Sequence, residues 1–265
     1  MKYISTRGDK SKTFSFETAI TSGYAPDGGL FVPMELPTKV TPIQLEYWSK
    51  LGYPALAAEC LRLFISEDEI PFSHLQKLCQ QSMERNDDGS GFENPENAVV
   101  VKPLGSSNAV FISELFHGPT FCFKDLGMRF VVNALSYFCN LRKQKITLVV
   151  ATTGDTGPAA VQSVNDIPDN AYLSILVHYP HGQISALQRK QLTTVNSKNV
   201  KVAAFEGGGD DMDSPIKNML TGKSTYKKEL FKHRKLCGVN SYNIGRPLMQ
   251  MVHYVSEFFI MTTDL

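Results

Sequence analysis

The chain has 265 residues, of which 42% are hydrophobic and 20% charged, and its formal net charge is +1. This composition is typical of a folded protein with a substantial core, and the small net charge argues against a nucleic-acid partner. No apolar run is long enough to span a membrane, and the first residues contain no apolar segment typical of a secretory signal. Its five cysteines are scattered without a Cys-x-x-Cys pair, which favours a reducing compartment over a disulfide or zinc framework. We therefore expect a cytoplasmic protein without a bound metal.

The first part of the chain is predicted to be mostly helical. Thr41 is a good helix cap, and Pro42 would occupy the first helical position. Apolar residues then recur at helical spacing over 53–65, and a further helix is predicted over 72–83. The N-terminal part is therefore expected to be a helical unit.

A polar stretch over 86–97 marks the predicted domain boundary. It contains acidic residues, but the alternating ligand pattern of a calcium loop is absent, which favours a solvated linker. We therefore predict one domain over 1–97 and a second over 98–265.

The second domain is predicted to alternate strands with helices. Such alternation indicates βαβ units and a largely parallel sheet. The predicted strands are 98–101, 109–112, 146–150, 173–177 and 200–205, and the predicted helices are about 126–143, from 158, 186–194, 215 to about 231, and 243–259.

The stretch His117–Gly127 carries one lysine among apolar neighbours. Phe121 and Phe123 flank Lys124, and a helical pattern begins directly after it. Because apolar surroundings disfavour the charged ammonium, such a lysine can act as a nucleophile toward an aldehyde cofactor. The alternative is a surface lysine at the start of a helix.

The loop Thr152–Gly157 follows a predicted buried strand and precedes a helix. Free backbone N–H groups and the positive end of the helix dipole favour an anion at such a junction, and threonine hydroxyls add donors. An ordinary strand-to-helix turn is the alternative.

Asp155-Thr156-Gly157 is also the tripeptide of aspartic proteases, but that chemistry needs two such carboxylates and the chain has one copy. Gly207–Gly209 is not a phosphate-binding P-loop, because no Gly-Lys-Ser/Thr follows it.

Seven blocks of this sequence, in matching order and spacing, resemble threonine synthase, a pyridoxal-phosphate (PLP) enzyme. The resemblance implies an α/β fold with a helical N-terminal domain followed by an incomplete three-layer αβα parallel-sheet PLP domain of the tryptophan-synthase-β type. The blocks are Met1-Lys2-Tyr3-x-Ser5-Thr6-Arg7-Gly8, Asp27-Gly28-Gly29-Leu30-Phe31-x-Pro33, Gly118-Pro119-Thr120-x-x-Phe123-Lys124-Asp125, Ala151-Thr152-Thr153-Gly154-Asp155-Thr156-Gly157, Tyr179-Pro180-x-Gly182-x-x-Ser185, Gln191-x-Thr193-Thr194 and Asn240-Ser241-x-Asn243.

The resemblance implies a role for each of these site residues. Lys124 would bind PLP as a Schiff base, and the cofactor would contact Phe123, Asp125, Asn240 and Ser241. The substrate carboxylate would lie against Thr152, Thr153, Gly154, Asp155 and Thr156. Independently of the resemblance, Arg7 could bring its guanidinium to a phosphorylated substrate, because arginine binds phosphate in bidentate fashion; a surface strand near the terminus is the alternative. Pro247 departs from the family pattern and leaves the placement of Arg246 open.

The implied activity is the conversion of O-phosphohomoserine and water to threonine and phosphate. A phospho-lyase acting on O-phosphothreonine, as in threonine synthase-like proteins, is the first alternative. The sequence stops before the family's PLP phosphate loop, so we also consider a truncated protein that binds a partner without catalysis. Association into a homo-oligomer is left open.

Overall fold

The fold was analysed in a computed structural model, which describes residues 1–37, 40–105, 110–167, 171–224 and 233–263. The N-terminal part is mostly helical, as predicted, with one short pair of strands. Its elements are β1 (Tyr3–Ser5), α1 (Phe16–Ser22), β2 (Phe31–Pro33), α2 (Pro42–Trp48), α3 (Tyr53–Leu61), α4 (Phe72–Met83) and a 3-10 turn at Pro95–Asn97. Thr41 caps α2 through a reciprocal capping box with Gln44, and Pro42 begins the helix.

The second part alternates strands and helices, which confirms the predicted α/β class. Its elements are β3 (Val100–Pro103), β4 (Phe111–Glu114), α5 (Lys124–Arg142), β5 (Ile146–Ala151), α6 (Thr156–Asn165), β6 (Leu173–Pro180), α7 (Ala186–Thr193), β7 (Val200–Phe205), α8 (Asp213–Leu220), β8 (Lys235–Gly238) and α9 (Gly245–Thr263).

A four-stranded parallel sheet forms the centre of this part, in the order β7-β6-β5-β8. Ala151, the last residue of β5, pairs with His178 of β6, so the loops after these strands leave the same edge. The strands β1–β2 and β3–β4 form two separate antiparallel pairs. The carboxyl edge of the parallel sheet is where α/β proteins usually place their ligands.

The strands predicted over 98–101 and 109–112 begin at Val100 and Phe111 in the structure, and two other predictions differ from it more. The strand β8 was not predicted, because it has only four residues and both Lys235 and Gly238 are poor strand formers. The helix predicted from 215 to about 231 is α8, which ends at Leu220, so the prediction is wrong over 221–224. Ala109 and residues 225–231, which were predicted as strand and helix, lie outside the described residues.

The long helix α5 lies at the centre of the packing. Its buried face includes Leu126, Phe130 and Leu135, and one cluster of buried apolar side chains extends from Tyr3 to Phe259. The core therefore includes residues of both predicted domains, and the boundary near residue 97 stays a prediction. Among the helices of the described residues, none combines the length and apolar character needed to cross a membrane.

A buried ion pair joins α5 to the end of α6. The Arg129 guanidinium donates to the Asp166 carboxylate, and the side chains of both residues are almost fully buried. Arg129 Nε also donates to the Ser82 carbonyl at 2.7 Å, and Gln162 Nε2 donates to Asp166 Oδ1 at 2.7 Å. Both charges are therefore compensated within the core.

Replacing Asp166 by Asn is expected to lower the free energy of unfolding by about 3–5 kcal/mol, because Arg129 keeps its buried charge without a carboxylate. Urea denaturation measures the change. Glu46→Gln, in the exposed Lys50–Glu46 pair, is the control and is expected to leave the midpoint unchanged. Equal shifts for the two variants would show that the buried pair contributes no more to stability than the exposed one.

Candidate active site

Three of the segments singled out from the sequence lie at the carboxyl edge of the parallel sheet. The loop 152–155 leaves β5 there, and Asn240 lies shortly after β8. The first residue of α5, Lys124, reaches the same loop through its side chain. The parallel sheet therefore brings together three segments that are far apart in sequence.

A tight turn before α5 is built around Asp125. Its buried carboxylate accepts the Thr120 backbone N–H at 2.9 Å and the Thr120 hydroxyl at 2.7 Å. Burial raises the pKa of Asp125, and the bonds from Thr120 oppose this shift. A Cβ on Gly118 would lie 2.6 Å from Asp125 Oδ2, so the close approach needs glycine. Asp125 thus fixes the turn that presents Lys124, and its predicted contact with a cofactor stays a prediction.

The same turn contains a strained aromatic residue. Phe121 has a φ of 59°, in the left-handed region that bulky side chains rarely adopt, and its side chain is exposed. Two residues later, the Phe123 ring lies below the Lys124 ammonium, with Nζ 4.4 Å from the ring centroid. Such a contact stabilises a cation modestly at a partly exposed site.

The Lys124 ammonium forms an ion pair with Asp155. Lys124 Nζ lies 2.9 Å from Asp155 Oδ2, and Gln188 Nε2 donates to the other oxygen, Asp155 Oδ1, at 2.7 Å. The hydrogen bond from Lys124 is the largest cause that lowers the pKa of Asp155. An ionised Asp155 repels another carboxylate, so its predicted contact with the substrate carboxylate stays a prediction, and the nearby hydroxyl and N–H donors fit that role better.

The loop after β5 is held in shape by Thr152. Its buried hydroxyl oxygen accepts the backbone N–H groups of Gly154 at 3.1 Å and Gly157 at 2.9 Å. The neighbouring Thr153 is exposed, and Thr156 is half-buried at the first position of α6. The loop therefore uses one threonine for its own structure and presents two others at a helix N-terminus, where an anion is favoured.

Of the remaining predicted residues, some lie at the sheet edge beside Lys124 and Asp155, and others lie away from it. Asn240 Nδ2 donates to the Ala151 carbonyl at 2.7 Å, and Asn240 Oδ1 is buried without a hydrogen-bond partner in the described part of the chain. Ser241 and Arg7 are exposed, and among the described residues neither side chain contacts Lys124 or Asp155. The structure thus brings Asn240 to the sheet edge, whereas Arg7 lies on the loop after β1.

Arg246, whose position the sequence left open, is buried. Its Nη1 donates to the Val239 carbonyl at 3.3 Å, and within the described residues no carboxylate pairs with it. Burial lowers the pKa of Arg246 to about 10. A Cβ on Gly127, in the first turn of α5, would lie 3.2 Å from Arg246 Nε, so this side chain packs directly behind the helix that carries Lys124.

Gln188 was not singled out from the sequence. The spacing Ser185-x-x-Gln188 is a capping-box signal, and α7 does begin with this box. The signal identifies the start of α7, but the contact between Gln188 and Asp155 depends on how α7 packs against the loop after β5. Sequence spacing alone therefore could not reveal it.

Fold and site together define an α/β protein with an ion-paired lysine and a threonine-bearing loop at the N-terminus of a helix, both at one sheet edge. The family described as "Threonine synthase N terminus" matches residues 2–83. The chain is 38% identical to threonine synthase-like 2 from Homo sapiens, an alignment covering 100% of this chain and 51% of that protein. It is also 38% identical to threonine synthase from Saccharomyces cerevisiae, with 98% of this chain and 50% of that protein covered. The chain spans about half the length of the curated relatives it matches.

Solved structures that resemble this chain are also threonine synthases. The crystal structure of yeast threonine synthase matches with a TM-score of 0.83 at 36% identity, covering 99% of this chain and 50% of that one. The PLP-bound threonine synthase from Brucella melitensis matches with a TM-score of 0.81 at 31% identity, covering 99% of this chain and 52% of that one. The predicted resemblance to threonine synthase is therefore confirmed over nearly the whole of this chain, which corresponds to about half the length of these proteins.

Thr152→Val is expected to destabilise the fold by about 1–3 kcal/mol, because two buried N–H groups lose their acceptor. Thr153→Val is the matched control, since the adjacent hydroxyl is exposed, and it should leave stability nearly unchanged. Thermal and urea denaturation of both variants measure the difference. Comparable losses would mean that Thr152 does not hold the loop.

Proposed function

We propose that this chain forms the lysine-bearing part of a PLP-dependent enzyme of the threonine synthase type. The proposed reaction converts O-phosphohomoserine and water to threonine and phosphate. The observation that carries the proposal is the Lys124–Asp155 ion pair beside an anion-binding type of loop at the sheet edge. The similarity to threonine synthases over almost the whole chain supports it.

Several residues at this edge fit PLP. Lys124 would hold the cofactor covalently through Nζ, and the Phe123 ring beside Nζ offers an apolar wall. Asn240 Oδ1, buried and without a partner among the described residues, offers an acceptor to a hydroxyl or protonated group of the ligand. When bound, PLP supplies an electron sink for bond breaking next to the substrate amino group.

The chain's own side chains would bind the substrate and move its proton. The hydroxyls of Thr153 and Thr156 and the N-terminus of α6 would hold the substrate carboxylate. Lys124 Nζ would transfer the proton to and from the substrate's α-carbon as a general acid and base. Asp155 would hold Nζ on the side of the anion loop. Arg7 is a candidate for the substrate phosphate, because arginine binds phosphate through two donors.

A phospho-lyase acting on O-phosphothreonine is the second candidate. It is favoured by the threonine synthase-like 2 relatives, since the human one is as similar to this chain as yeast threonine synthase, both at 38% identity. The two activities differ in product: when water does not add at the β-carbon, elimination of phosphate leaves an enamine, which water hydrolyses to a keto acid and ammonia instead of threonine. Phosphate release and product analysis with each substrate distinguish them. A protein that binds no PLP would support the third alternative, a binding protein without catalysis.

The first functional prediction is that PLP attaches to Lys124. Borohydride reduction of PLP-treated protein, followed by peptide mapping, should label Lys124, and Lys124→Met should abolish the label. Lys217→Met is a matched control, because Lys217 also lies over an aromatic ring, with Nζ 5.1 Å from the Tyr24 centroid. The label should persist in that variant. Labelling at a different lysine would refute the assignment.

The second functional prediction concerns the substrate carboxylate. Thr153→Val is expected to weaken substrate binding by about 1–3 kcal/mol, the effect of losing a hydrogen bond to a charged group, while PLP binding stays unchanged. Titration of the PLP-loaded protein with substrate measures it. Thr193→Val is the control, since that hydroxyl donates to the Arg189 carbonyl within α7 at 2.8 Å. Equal losses of substrate and cofactor affinity would show that the loop has another role.

A further inference from the structure

Asp155 is held at both carboxylate oxygens. Gln188 Nε2 donates to Oδ1 at 2.7 Å, and Lys124 Nζ donates to Oδ2 at 2.9 Å. A carboxylate held by only one donor rotates easily about its last side-chain torsion, because that torsion has a broad energy minimum. Gln188, together with the Cys122 thiol that also hydrogen-bonds Asp155, therefore helps to decide where Oδ2 points, and with it where the Lys124 ammonium lies.

The orientation of Gln188 is itself fixed by two local features. Its Oε1 accepts the Ser185 backbone N–H at 3.0 Å in the capping box of α7, which leaves Nε2 as the group that faces Asp155. On the other side, a Cβ on Gly154 would lie 2.5 Å from Gln188 Nε2, so only glycine admits the amide here. Both α7 and the loop after β5 thus place the donor against Asp155.

The Lys124 ammonium has few partners that fix its position. Within the described residues it donates one hydrogen bond, to the Asp155 carboxylate, and lies over the Phe123 ring. Lys124 is also the first residue of α5, where the helix dipole disfavours a positive charge. Asp155 is therefore the group that determines the position of Nζ.

We propose that Gln188 is a positioning residue, which fixes Asp155 so that Asp155 in turn holds the Lys124 amine in place for the cofactor aldehyde. This inference rests on the proposed function, because it assigns Gln188 a role in loading PLP. Gln188 itself touches neither Lys124 nor any group of the substrate in this scheme.

The informative variant is Gln188→Glu in the full chain. Glutamate keeps the acceptor that the capping box needs, but it removes the donor to Asp155 and places a like charge beside it. Gln44→Glu is a matched control, because Gln44 occupies the same capping-box position in α2. Both variants should therefore keep similar melting temperatures. If Gln188→Glu is less stable, Gln188→Met is compared with Gln44→Met instead.

The main measurement is the rate at which the absorbance band of Lys124-bound PLP appears after PLP is added. Gln188→Glu should load about three- to tenfold more slowly than the native chain, the effect of losing one charge-assisted hydrogen bond at a partly exposed site, and Gln44→Glu should load at the native rate. With Asp155→Asn, adding Gln188→Glu should change the rate less than twofold, because the effect passes through Asp155. Native loading by Gln188→Glu would overturn the proposal.

A second readout does not depend on PLP. At a fixed pH, the rate at which an amine-reactive reagent modifies Lys124 should fall about two- to threefold in Gln188→Glu, because the added carboxylate attracts the ammonium, and should stay unchanged in Gln44→Glu. If the native chain fails to load PLP, the proposed function fails, whereas the modification rates still test whether Gln188 acts on Lys124. An unchanged modification rate in Gln188→Glu would overturn the coupling.

Discussion

The Lys124–Asp155 ion pair joins the first residue of α5 to the residue before α6. The two residues lie in opposite electrostatic settings, because a helix N-terminus disfavours a lysine and favours an aspartate. The pair is stable only while the two helix starts remain side by side, and the packing of α5 and α6 around β5 keeps them there. Both side chains are partly exposed, at 21% and 44%, so water weakens the pair and the surrounding contacts must maintain its geometry.

Those contacts come largely from α7. Gln188, near its start, donates to Asp155, and Gln191, one turn later, donates to the Thr120 carbonyl at 3.2 Å. The helix therefore contacts Asp155 directly, and it contacts the turn that precedes Lys124. Within that turn, the bonds from Thr120 to buried Asp125 offset the strain of Phe121 in the left-handed region.

The sequence predicted the elements whose hydrophobic pattern lies within the element itself and extends over several residues. The helix over 72–83 and the strand over 200–205 agree with the structure to the residue, because apolar periodicity and β-branched residues mark them clearly. The strand β8 was missed because its four residues gain their stability from pairing with β5, which no local pattern reveals. The same limit applies to the site. Lys124 and the loop after β5 carry local signatures, whereas the contact of Gln188 arises only from packing.

The glycine-rich loop after β7, residues 206–211, also has a structural explanation. Gln183 Nε2 donates to the Gly207 carbonyl at 2.6 Å, and Gly208 donates its N–H to Asp211 Oδ2 at 2.6 Å, so the loop is fastened at two points. A Cβ on Gly209 would lie 2.6 Å from the Thr153 side chain. Glycine there lets the backbone of this loop pack directly against the loop after β5 without displacing Thr153. One wall of the site is thus formed by backbone, and a larger residue at position 209 would have to move either this loop or the threonine beside it.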